Sequence, residues 1–401
     1  MEFDNKEILK TKILVFSILA ILLAIIISGL MFFIISNFSN SVTVKTNEIG
    51  GIKTIGDLID TAQRDRNTLV VNLDEYGDKI VSVPQMQENE RNNNVSQNVV
   101  DQALNRKFFY NQLDEYGQTI YRKFIENEER LRTGTFTADF GTAFNELLNS
   151  ENGNKILSNA FQSSFNALLM DNPEIFYLNL SRIHMFIETT TVGTNRTFRV
   201  TIGNDSNSTY LADSFPTEES VNSAIARLNA ARERVRSTIP LNASAEQKIR
   251  IIHNYIIDNV EYDTTLSKSN IRNIYGTLIN NVAVCEGYAK AFKFLIDGLD
   301  IPCILVYGVA TNSEGISEMH AWNYVYLEGA WYAIDVTWND PVIMNVVGGI
   351  ITSQGALTDE LRYAHYLLGS DAFFRTHVED RDILPGVTFR FPVLSRSNFN
   401  R

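Results

Sequence analysis

The chain has 401 residues with 44% hydrophobic content, enough to bury a full core and a second folded region. Its net charge is -12 and no cluster of Lys and Arg is interleaved with aromatic residues, which argues against a nucleic-acid ligand. Its two cysteines, Cys285 and Cys303, are too few for a disulfide framework and lack the paired spacing of a structural zinc site.

An apolar, uncharged run from Ile13 to Ile35 predicts a single-pass transmembrane helix over residues 13–36. A cleaved signal peptide is the main alternative, but the run is too long for a usual signal core and no small-x-small cleavage site follows it. Lysines at 6, 10 and 12 precede the run. The positive-inside rule therefore predicts a cytoplasmic tail over 1–12 and an extracytoplasmic location for the rest.

The region before the catalytic motifs is predicted to be an accessory unit. Residues 37–98 form a membrane-proximal segment and linker, because 85–98 (QMQENERNNNVSQN) is almost free of large apolar residues. Residues 99–240 predict a mostly helical α+β region. Its strands are expected at Ile183 to Thr190 and Arg196 to Ile202, and Thr217 is expected to cap the helix that follows.

Two further helices are predicted by capping and periodicity. Ser244 and Gln247 fit a capping box before the apolar stripe Ile249, Ile252 and Ile256, and His253 on that helix is interpreted as a packing residue. The next helix begins at Cys285 and ends at Gly298.

The position of Cys285 as the first residue of a helix points to nucleophilic chemistry. Free backbone N–H groups and the positive end of the helix dipole stabilise a thiolate there, and the same N–H groups can supply half of an oxyanion hole. Glu286 opposes the thiolate if it points the same way. Cys303 follows Pro302 and opens a strand-like run, which is typical of an inert, small hydrophobic residue.

The run from His320 to Asn339 predicts a β-hairpin that turns at Glu328-Gly329. If Leu327 pairs with Ala330, Trp322 falls opposite Asp335 and His320 becomes a diagonal neighbour of Asp335 on one face. A slip by one residue separates them, so the prediction depends on the turn type.

A thiolate, an imidazole and a carboxylate are the three parts that nucleophilic acyl transfer requires. The alternative is that Cys285, His320 and Asp335 are unrelated polar residues in a globular core. The tryptophans favour a site, because Trp322, Trp331 and Trp338 all lie on the predicted hairpin, where aromatic walls exclude water and grip an extended chain.

Four local sequences carry a resemblance to a known family. They are IHNYIIDNVEYD from Ile252, IYGTLINNVAVCEGYAKAF from Ile274, HAWNYVYLEGAWYAIDVTWNDP from His320 and, more loosely, DNPEIFYL from Asp171. Together they resemble the transglutaminase-like superfamily of papain-like cysteine enzymes, particularly bacterial membrane-anchored members. The strong part of the resemblance covers about a quarter of the chain, from Ser244 to Pro341.

The resemblance implies an α+β fold, in which a helix beginning with cysteine packs on an antiparallel sheet that carries His and Asp. It implies Cys285 as nucleophile, His320 as general base and then acid, Asp335 as the residue that orients His320, and Tyr275 as a contributor to the oxyanion hole. The core is expected over 241–345, with a C-terminal extension over 346–401 that packs on it. No cofactor is expected.

The remaining imidazoles, His184, His365 and His377, are interpreted as packing or surface residues, because none has an identifiable strand partner. Neither an EF-hand loop nor an HExxH motif is present, so no required metal is expected.

Three functions remain open at this point. The resemblance favours acyl transfer from glutamine or a related amide, through a Cys thioester, to an amine, with a protein or peptide as substrate. Water in place of the amine gives a cysteine peptidase or amidase that acts on protein or cell-wall peptides. A non-catalytic binding or scaffold module with the same fold is the third.

Overall fold

The computed structural model describes most of the chain after residue 106. The described residues are 107–204, 208–313, 315–340, 359–380 and 388–400, together with the backbone of 43–49, 345–347 and 350–352. The predicted linker at 85–98 and the predicted span at 13–36 lie outside these ranges. The α+β class predicted from the sequence is confirmed.

The first sheet belongs to the accessory region and is antiparallel, with the order β1-β3-β4-β2. Its strands are β1 (Thr43–Ile49), β2 (Ala138–Gly141), β3 (His184–Val192) and β4 (Asn195–Gly203). The predicted hairpin of β3 and β4 is confirmed, with Val192 paired to Asn195 across the turn. Strand β1 lies in the stretch that the sequence suggested was only a segment and linker.

Helices pack beside this sheet. They are α1 (Glu115–Ile125), α2 (Glu128–Leu131), α3 (Asn145–Asn149) and α4 (Gly153–Asp171), with short 3-10 turns at Tyr110–Gln112 and Leu180–Arg182. Among the described residues, no α-helix precedes α1. Asp171 at the end of α4 stabilises the 3-10 turn at Tyr110–Gln112. Its carboxylate accepts 3.0 Å hydrogen bonds from the backbone N–H groups of Phe109 and Tyr110.

The predicted cap at Thr217 and the predicted capping box at Ser244 and Gln247 are both confirmed, and Thr217 also forms a capping box. Thr217 and Ser220 cap α5 (Glu218–Ser237), and Ser244 and Gln247 cap α6 (Ala245–Asn259). Each pair satisfies backbone N–H groups that a helix start otherwise leaves without partners. Val221, Ala224 and Leu228 face the core from α5.

The second sheet is antiparallel and carries the site, with the order β12-β7-β8-β9. Its strands are β7 (Cys303–Thr311), β8 (Ser317–Leu327), β9 (Ala330–Ile334) and β12 (His377–Glu379). Helix α7 (Cys285–Asp297) packs on β7 and β8. The buried Asn323 joins the two layers, because its Nδ2 donates to the Ala289 carbonyl of α7 at 3.0 Å.

Shorter elements complete the described fold. Strands β5 (Glu261–Tyr262) and β6 (Val282–Ala283) pair in parallel just before α7, and a π-helical turn at Gly276–Asn280 lies between them. The later elements are β10 (Asn345–Val347), β11 (Ile350–Thr352), α8 (Asp359–Arg362) and α9 (Ser370–Phe373).

The β8–β9 hairpin has the predicted register. Leu327 pairs with Ala330 and the ladder continues to Asn323 and Ile334. Glu328 and Gly329 both have positive φ, 49° and 87°, as a two-residue type I′ turn requires. The ladder ends after Ile334, because the backbone N–H of Asp335 donates to the His365 carbonyl at 3.0 Å instead.

The prediction of a single-pass membrane protein needs correction. Among the helices in the described ranges, none is long and apolar enough to cross a bilayer. The predicted membrane location and the extracytoplasmic assignment that depended on it are withdrawn.

Gly308 on β7 allows β12 to approach the sheet. A Cβ atom at this position would lie 2.1 Å from the Val378 carbonyl oxygen and 2.6 Å from Cη2 of Trp322. We therefore expect Gly308→Ala to displace β12 and to lower the free energy of unfolding by about 1–3 kcal/mol, the usual cost of overpacking. Urea denaturation monitored by tryptophan fluorescence measures this loss.

The matched control for that experiment is Gly298→Ala. A Cβ at Gly298 meets its nearest neighbours at 3.5 and 3.6 Å, which is ordinary contact. Equal stability of the Gly308→Ala and Gly298→Ala variants would show that the close approach of β12 carries no steric constraint.

Candidate active site

Cys285 is the first residue of α7, as the sequence predicted, and it is fully buried. The N-cap residue is Val284, whose side chain forms no capping hydrogen bond. The N–H groups of the first turn are therefore not used by a cap, and they and the helix dipole favour negative charge at this end. The thiol lies where a thiolate or an oxyanion is stabilised.

His320 and Asp335 meet on the sheet that packs against α7. His320 lies on β8 opposite Gly308 of β7, and Asp335 follows the last residue of β9. The His320 Nε2 is 2.8 Å from the Asp335 Oδ2, and both side chains are buried. The other carboxylate oxygen accepts the backbone N–H of Trp338 at 3.1 Å. These bonds fix the imidazole plane.

The charges of the three groups support one another. Burial lowers the pKa of His320, but the Asp335 carboxylate, the negative charge at Cys285 and hydrogen bonds to both residues raise this pKa well above its usual value. Burial raises the pKa of Asp335, but His320 and His377 together hold it well below its ordinary range. An imidazolium at His320 is thus stabilised from both sides.

His377 also contacts Asp335. Its interpretation as a packing or surface residue was therefore wrong. It lies on β12 opposite Ala310 of β7, is fully buried, and has its Nε2 3.1 Å from the Asp335 Oδ2. The Phe373 ring stacks on it at a centroid distance of 4.1 Å. Strand β12 has three residues, too few for a periodic pattern, so the imidazole itself was the only signal in the sequence.

The chemistry of its neighbours sets the tautomer of His377. Burial lowers the pKa of His377 to about 4, so the ring is neutral near pH 7. A carboxylate only accepts hydrogen bonds, so Nε2 carries the proton that Asp335 accepts. The Nδ1 then accepts from the Thr376 hydroxyl, 2.9 Å away. Asp335 is therefore held by two imidazoles at once.

Two of the three tryptophans line the site. The Trp322 and Trp338 rings lie 6.2 and 5.6 Å from the His320 ring between centroids. Trp331 lies on the same hairpin but packs on Tyr326 at 5.4 Å, so the expectation that all three surround the site is corrected. Trp331 lies four residues before Asp335, toward the turn of the hairpin, where it pairs with Tyr326.

Tyr275 is not placed as an oxyanion-hole residue. Its ring packs edge-on against Phe215 at 5.1 Å and stacks with Phe176 at 6.2 Å, and its hydroxyl accepts a hydrogen bond from Arg227 of α5. These contacts direct the side chain to the accessory region. The backbone N–H of Cys285 is the donor that the described site offers at the thiol.

The Glu286 carboxylate has charged and polar partners of its own. Its Oε1 is 2.6 Å from the Lys290 Nζ and accepts the Tyr307 hydroxyl at 3.1 Å, and its Oε2 is 3.8 Å from an Arg272 nitrogen. Two cations thus surround this buried carboxylate.

His253 and His365 support the loop after Asp335. The Asn339 Nδ2 donates to the His253 Nε2 at 3.0 Å, and the Asn339 Oδ1 accepts the His365 backbone N–H at 2.7 Å. The interpretation of His253 as a packing residue is confirmed, because the residue is fully buried. The His365 ring contacts Trp338 at 5.2 Å, and burial lowers its pKa.

The two imidazoles and the carboxylate also form a donor set of the kind that divalent metals use. The ligand atoms of His320, Asp335 and His377 all lie within 4.8 Å of one another. Direct hydrogen bonds of 2.8 and 3.1 Å already join these atoms, which suits proton sharing. The expectation that no metal is required stays a prediction.

Comparisons with known proteins identify the region that contains the site. The family model described as the transglutaminase-like superfamily core matches residues 233–336, so the chain contains a transglutaminase-like superfamily domain. Kyphoscoliosis peptidase of Mus musculus and of Homo sapiens is each 29% identical over 107 residues. That match covers 24% of this chain and 16% of each relative, so the chain spans about a sixth of their length.

Two solved structures show a weaker similarity. A TGase crystal structure is 16% identical, with 43% of this chain and 47% of that chain covered and a TM-score of 0.25. A cysteine-protease candidate from Cytophaga hutchinsonii is 14% identical, with 39% and 58% covered and a TM-score of 0.25. These TM-scores are too low to support an argument.

The lowered pKa of His377 predicts a pH dependence of stability. The unfolded chain binds a proton at this imidazole below about pH 6.5, whereas the folded chain binds it only below about pH 4. The contribution to stability is therefore fully present above pH 6.5 and is lost as the pH falls toward 4. Within that window His377→Gln should reduce the slope of unfolding free energy against pH by up to about 1.4 kcal/mol per unit.

Urea denaturation of wild type and His377→Gln at several pH values between 4.5 and 7.5 measures the two slopes. His184→Gln, which removes an imidazole on β3 outside the cluster, is the control. Parallel curves for wild type and His377→Gln would contradict the assignment of a neutral, buried His377.

Proposed function

We propose that the chain is a cysteine enzyme that transfers acyl groups from the carboxamide of a glutamine side chain, or a related amide, through a thioester at Cys285. The substrate is a protein or peptide. The observation that carries this proposal is the buried 2.8 Å hydrogen bond between His320 and Asp335, with Cys285 at the start of α7 raising the pKa of the same imidazole. The transglutaminase-like domain over 233–336 supports it.

The mechanism follows from the geometry. His320 takes the thiol proton, and the Cys285 sulfur attacks the amide carbon while the Cys285 backbone N–H stabilises the oxyanion. The imidazolium gives the proton to the departing ammonia or amine, and the acyl group remains on Cys285 as a thioester. A primary amine or water then attacks the thioester carbon, His320 takes its proton, and the thiol is regenerated. Asp335 keeps His320 oriented and stabilises its charge.

Hydrolysis is the second candidate, and one observation favours it. The curated relatives, 29% identical over 107 residues, are named as peptidases. Water as the acceptor then gives an amidase or a peptidase with the same first half of the reaction.

The proposed mechanism makes a prediction about the thiol of Cys285. Iodoacetamide should modify Cys285 at least about tenfold faster than Cys303, because a helix start and an imidazole activate the first thiol. Both thiols are buried, but burial raises the pKa of Cys303 far above the usual value, which keeps that thiol protonated. Mass spectrometry of the modified peptides gives both rates.

Two variants complete the labelling experiment. His320→Ala should slow modification of Cys285, whereas Cys303→Ala should leave it unchanged. Equal labelling of both cysteines in the wild-type protein would remove the main support for a catalytic Cys285.

A further prediction compares Asp335 and His377, the two residues that act on the reaction through His320. Asp335→Asn should lower kcat by about 10⁴, because the amide no longer fixes the tautomer or balances the imidazolium charge. His377→Gln should cost only about 10–100-fold, because Gln still donates to Asp335 and the effect is indirect. Steady-state kinetics with a glutamine peptide compares them, and a larger loss in His377→Gln than in Asp335→Asn would contradict the assigned order.

The acceptor is decided by product analysis. A glutamine peptide and a labelled primary amine are incubated with the enzyme, and mass spectrometry identifies the products. Amine-coupled peptide supports transfer, whereas deamidated or cleaved peptide alone overturns it in favour of hydrolysis.

A further inference from the structure

His377 is a buried imidazole that the proposed mechanism does not use as an acid or a base. Its Nε2 lies 3.1 Å from the Asp335 Oδ2, and the His320 Nε2 lies 2.8 Å from the same oxygen. The three ligand atoms all lie within 4.8 Å of one another. Two imidazoles and one carboxylate are one of the ligand sets of catalytic zinc sites, in which a fourth position stays open. Acyl transfer needs only one of these imidazoles, so the second is available for another role.

The spacing of the three atoms is close to that of zinc ligands. Neighbouring ligand atoms around a tetrahedral zinc, with bonds of about 2.0–2.2 Å, lie about 3.3 Å apart. The two oxygen-to-nitrogen distances, 2.8 and 3.1 Å, are already within about 0.5 Å of that value. The two nitrogens lie no more than 4.8 Å apart, so they need to approach each other by at most about 1.5 Å. Side-chain rotation can supply shifts of this size.

The Asp335 carboxylate is oriented as a metal ligand requires. Its Oδ1 accepts the Trp338 backbone N–H at 3.1 Å, which leaves Oδ2 facing both imidazoles. Carboxylates that bind metals are usually fixed by such a hydrogen bond. The rings of Trp338 and Phe373 lie 4.7 and 4.1 Å from the His377 ring between centroids. Apolar rings of this kind keep water out and strengthen electrostatic attraction between the groups inside.

Both imidazoles can offer Nε2 to a metal without losing their ring proton. At His377 the proton moves from Nε2 to Nδ1, where the Thr376 hydroxyl lies 2.9 Å away. A hydroxyl oxygen accepts as well as donates, and that of Thr376 can donate in turn to the Phe373 carbonyl at 3.4 Å. At His320 the proton moves to Nδ1 in the same way. The hydrogen-bond partner that a metal-bound His377 needs is therefore already in place.

We infer that His320, Asp335 and His377 form an inhibitory zinc site. The ion binds the Nε2 atoms of both imidazoles and the Asp335 Oδ2, and water takes the fourth position. A metal-bound imidazole keeps its one proton on Nδ1, so His320 no longer alternates between imidazole and imidazolium. The thiol proton then has no acceptor, and the enzyme is switched off until the ion leaves. The inhibition rests on the proposed function, whereas the binding of zinc does not.

Zinc binding to the untagged, full-length Cys285→Ala protein tests the site in the absence of the thiol. Competition with a chromophoric zinc chelator gives the stoichiometry and the affinity. One zinc ion should bind per chain, and Mg²⁺, which prefers oxygen ligands, should not displace it. His377→Gln in the same background should weaken zinc binding at least about 100-fold, because one of three protein ligands is lost.

Two further variants in that background assign the binding to the cluster. Thr376→Val keeps all three ligands and removes only the acceptor for the His377 Nδ1 proton, so binding should weaken by about 10–100-fold. His184→Gln removes an imidazole on β3, outside the cluster, and should leave binding unchanged. Thermal unfolding without zinc checks that each variant is folded. If His377→Gln fails to fold, the comparison of Thr376→Val with His184→Gln decides.

Iodoacetamide modification shows whether the ion acts on His320. In the protein that retains its thiol, zinc at about ten times its dissociation constant should slow modification of Cys285 by about tenfold, and EDTA should restore the rate. With His377→Gln, the same zinc concentration should slow modification by less than about twofold. This comparison separates the inferred site from direct binding of zinc to the thiolate.

The inference is overturned if the Cys285→Ala protein binds no zinc, or if His377→Gln and Thr376→Val bind it as tightly as their parent. An equal loss in His184→Gln also overturns it. Zinc binding that depends on His377, in a protein whose Cys285 is not selectively labelled, supports the site and removes the acyl-transfer proposal. Selective labelling of Cys285 without zinc binding gives the reverse outcome.

Discussion

The Asp335 carboxylate is a full negative charge with none of its surface exposed, and the arrangement around it depends on how that charge is balanced. An isolated carboxylate in such an interior costs several kcal/mol. Two imidazole nitrogens at 2.8 and 3.1 Å and the backbone N–H of Trp338 at 3.1 Å offset the cost. Because each imidazole comes from a different strand, the balance exists only when β8 and β12 both lie in place.

That requirement explains features of the fold that would otherwise look unrelated. Strand β12 reaches Asp335 by pairing with β7, and β7 admits it at Gly308, where a side chain would collide with Val378. The chain after β9 leaves its ladder so that the Asp335 N–H can donate to the His365 carbonyl. The buried His253 holds Asn339 and closes the same loop. Secondary structure is thus short and irregular where the charge must be satisfied.

The parts of the site that the sequence predicts correctly are those that depend on local interactions. A capping box, a helix that begins at Cys285 and a two-residue turn at Glu328-Gly329 each involve only a few neighbouring residues. The hairpin register then follows from the turn, and it brings His320 to Asp335.

The contact of His377 with Asp335 could not be predicted in this way, since 42 residues separate the two and the strand that carries His377 has only three. The contacts of Tyr275 could not be predicted for a related reason. Its partners Phe215 and Arg227 lie in the accessory region, whose docking on the core leaves no periodic signal.

The two units contribute differently in the scheme proposed above. The transglutaminase-like domain contains Cys285, His320 and Asp335, and such a set attacks amides with little dependence on the residues beside them. Discrimination between substrates must then come from surfaces that contact those neighbours. The accessory region offers one such surface, because residues after Asp171 line a cavity together with Glu286 and Lys290 of α7.

Asp171, directly before this segment, is fixed by the N–H groups of Phe109 and Tyr110. A segment anchored in this way loses little entropy on binding. Reaction and recognition therefore depend on different residues of neighbouring units, which allows either to change while the other is kept.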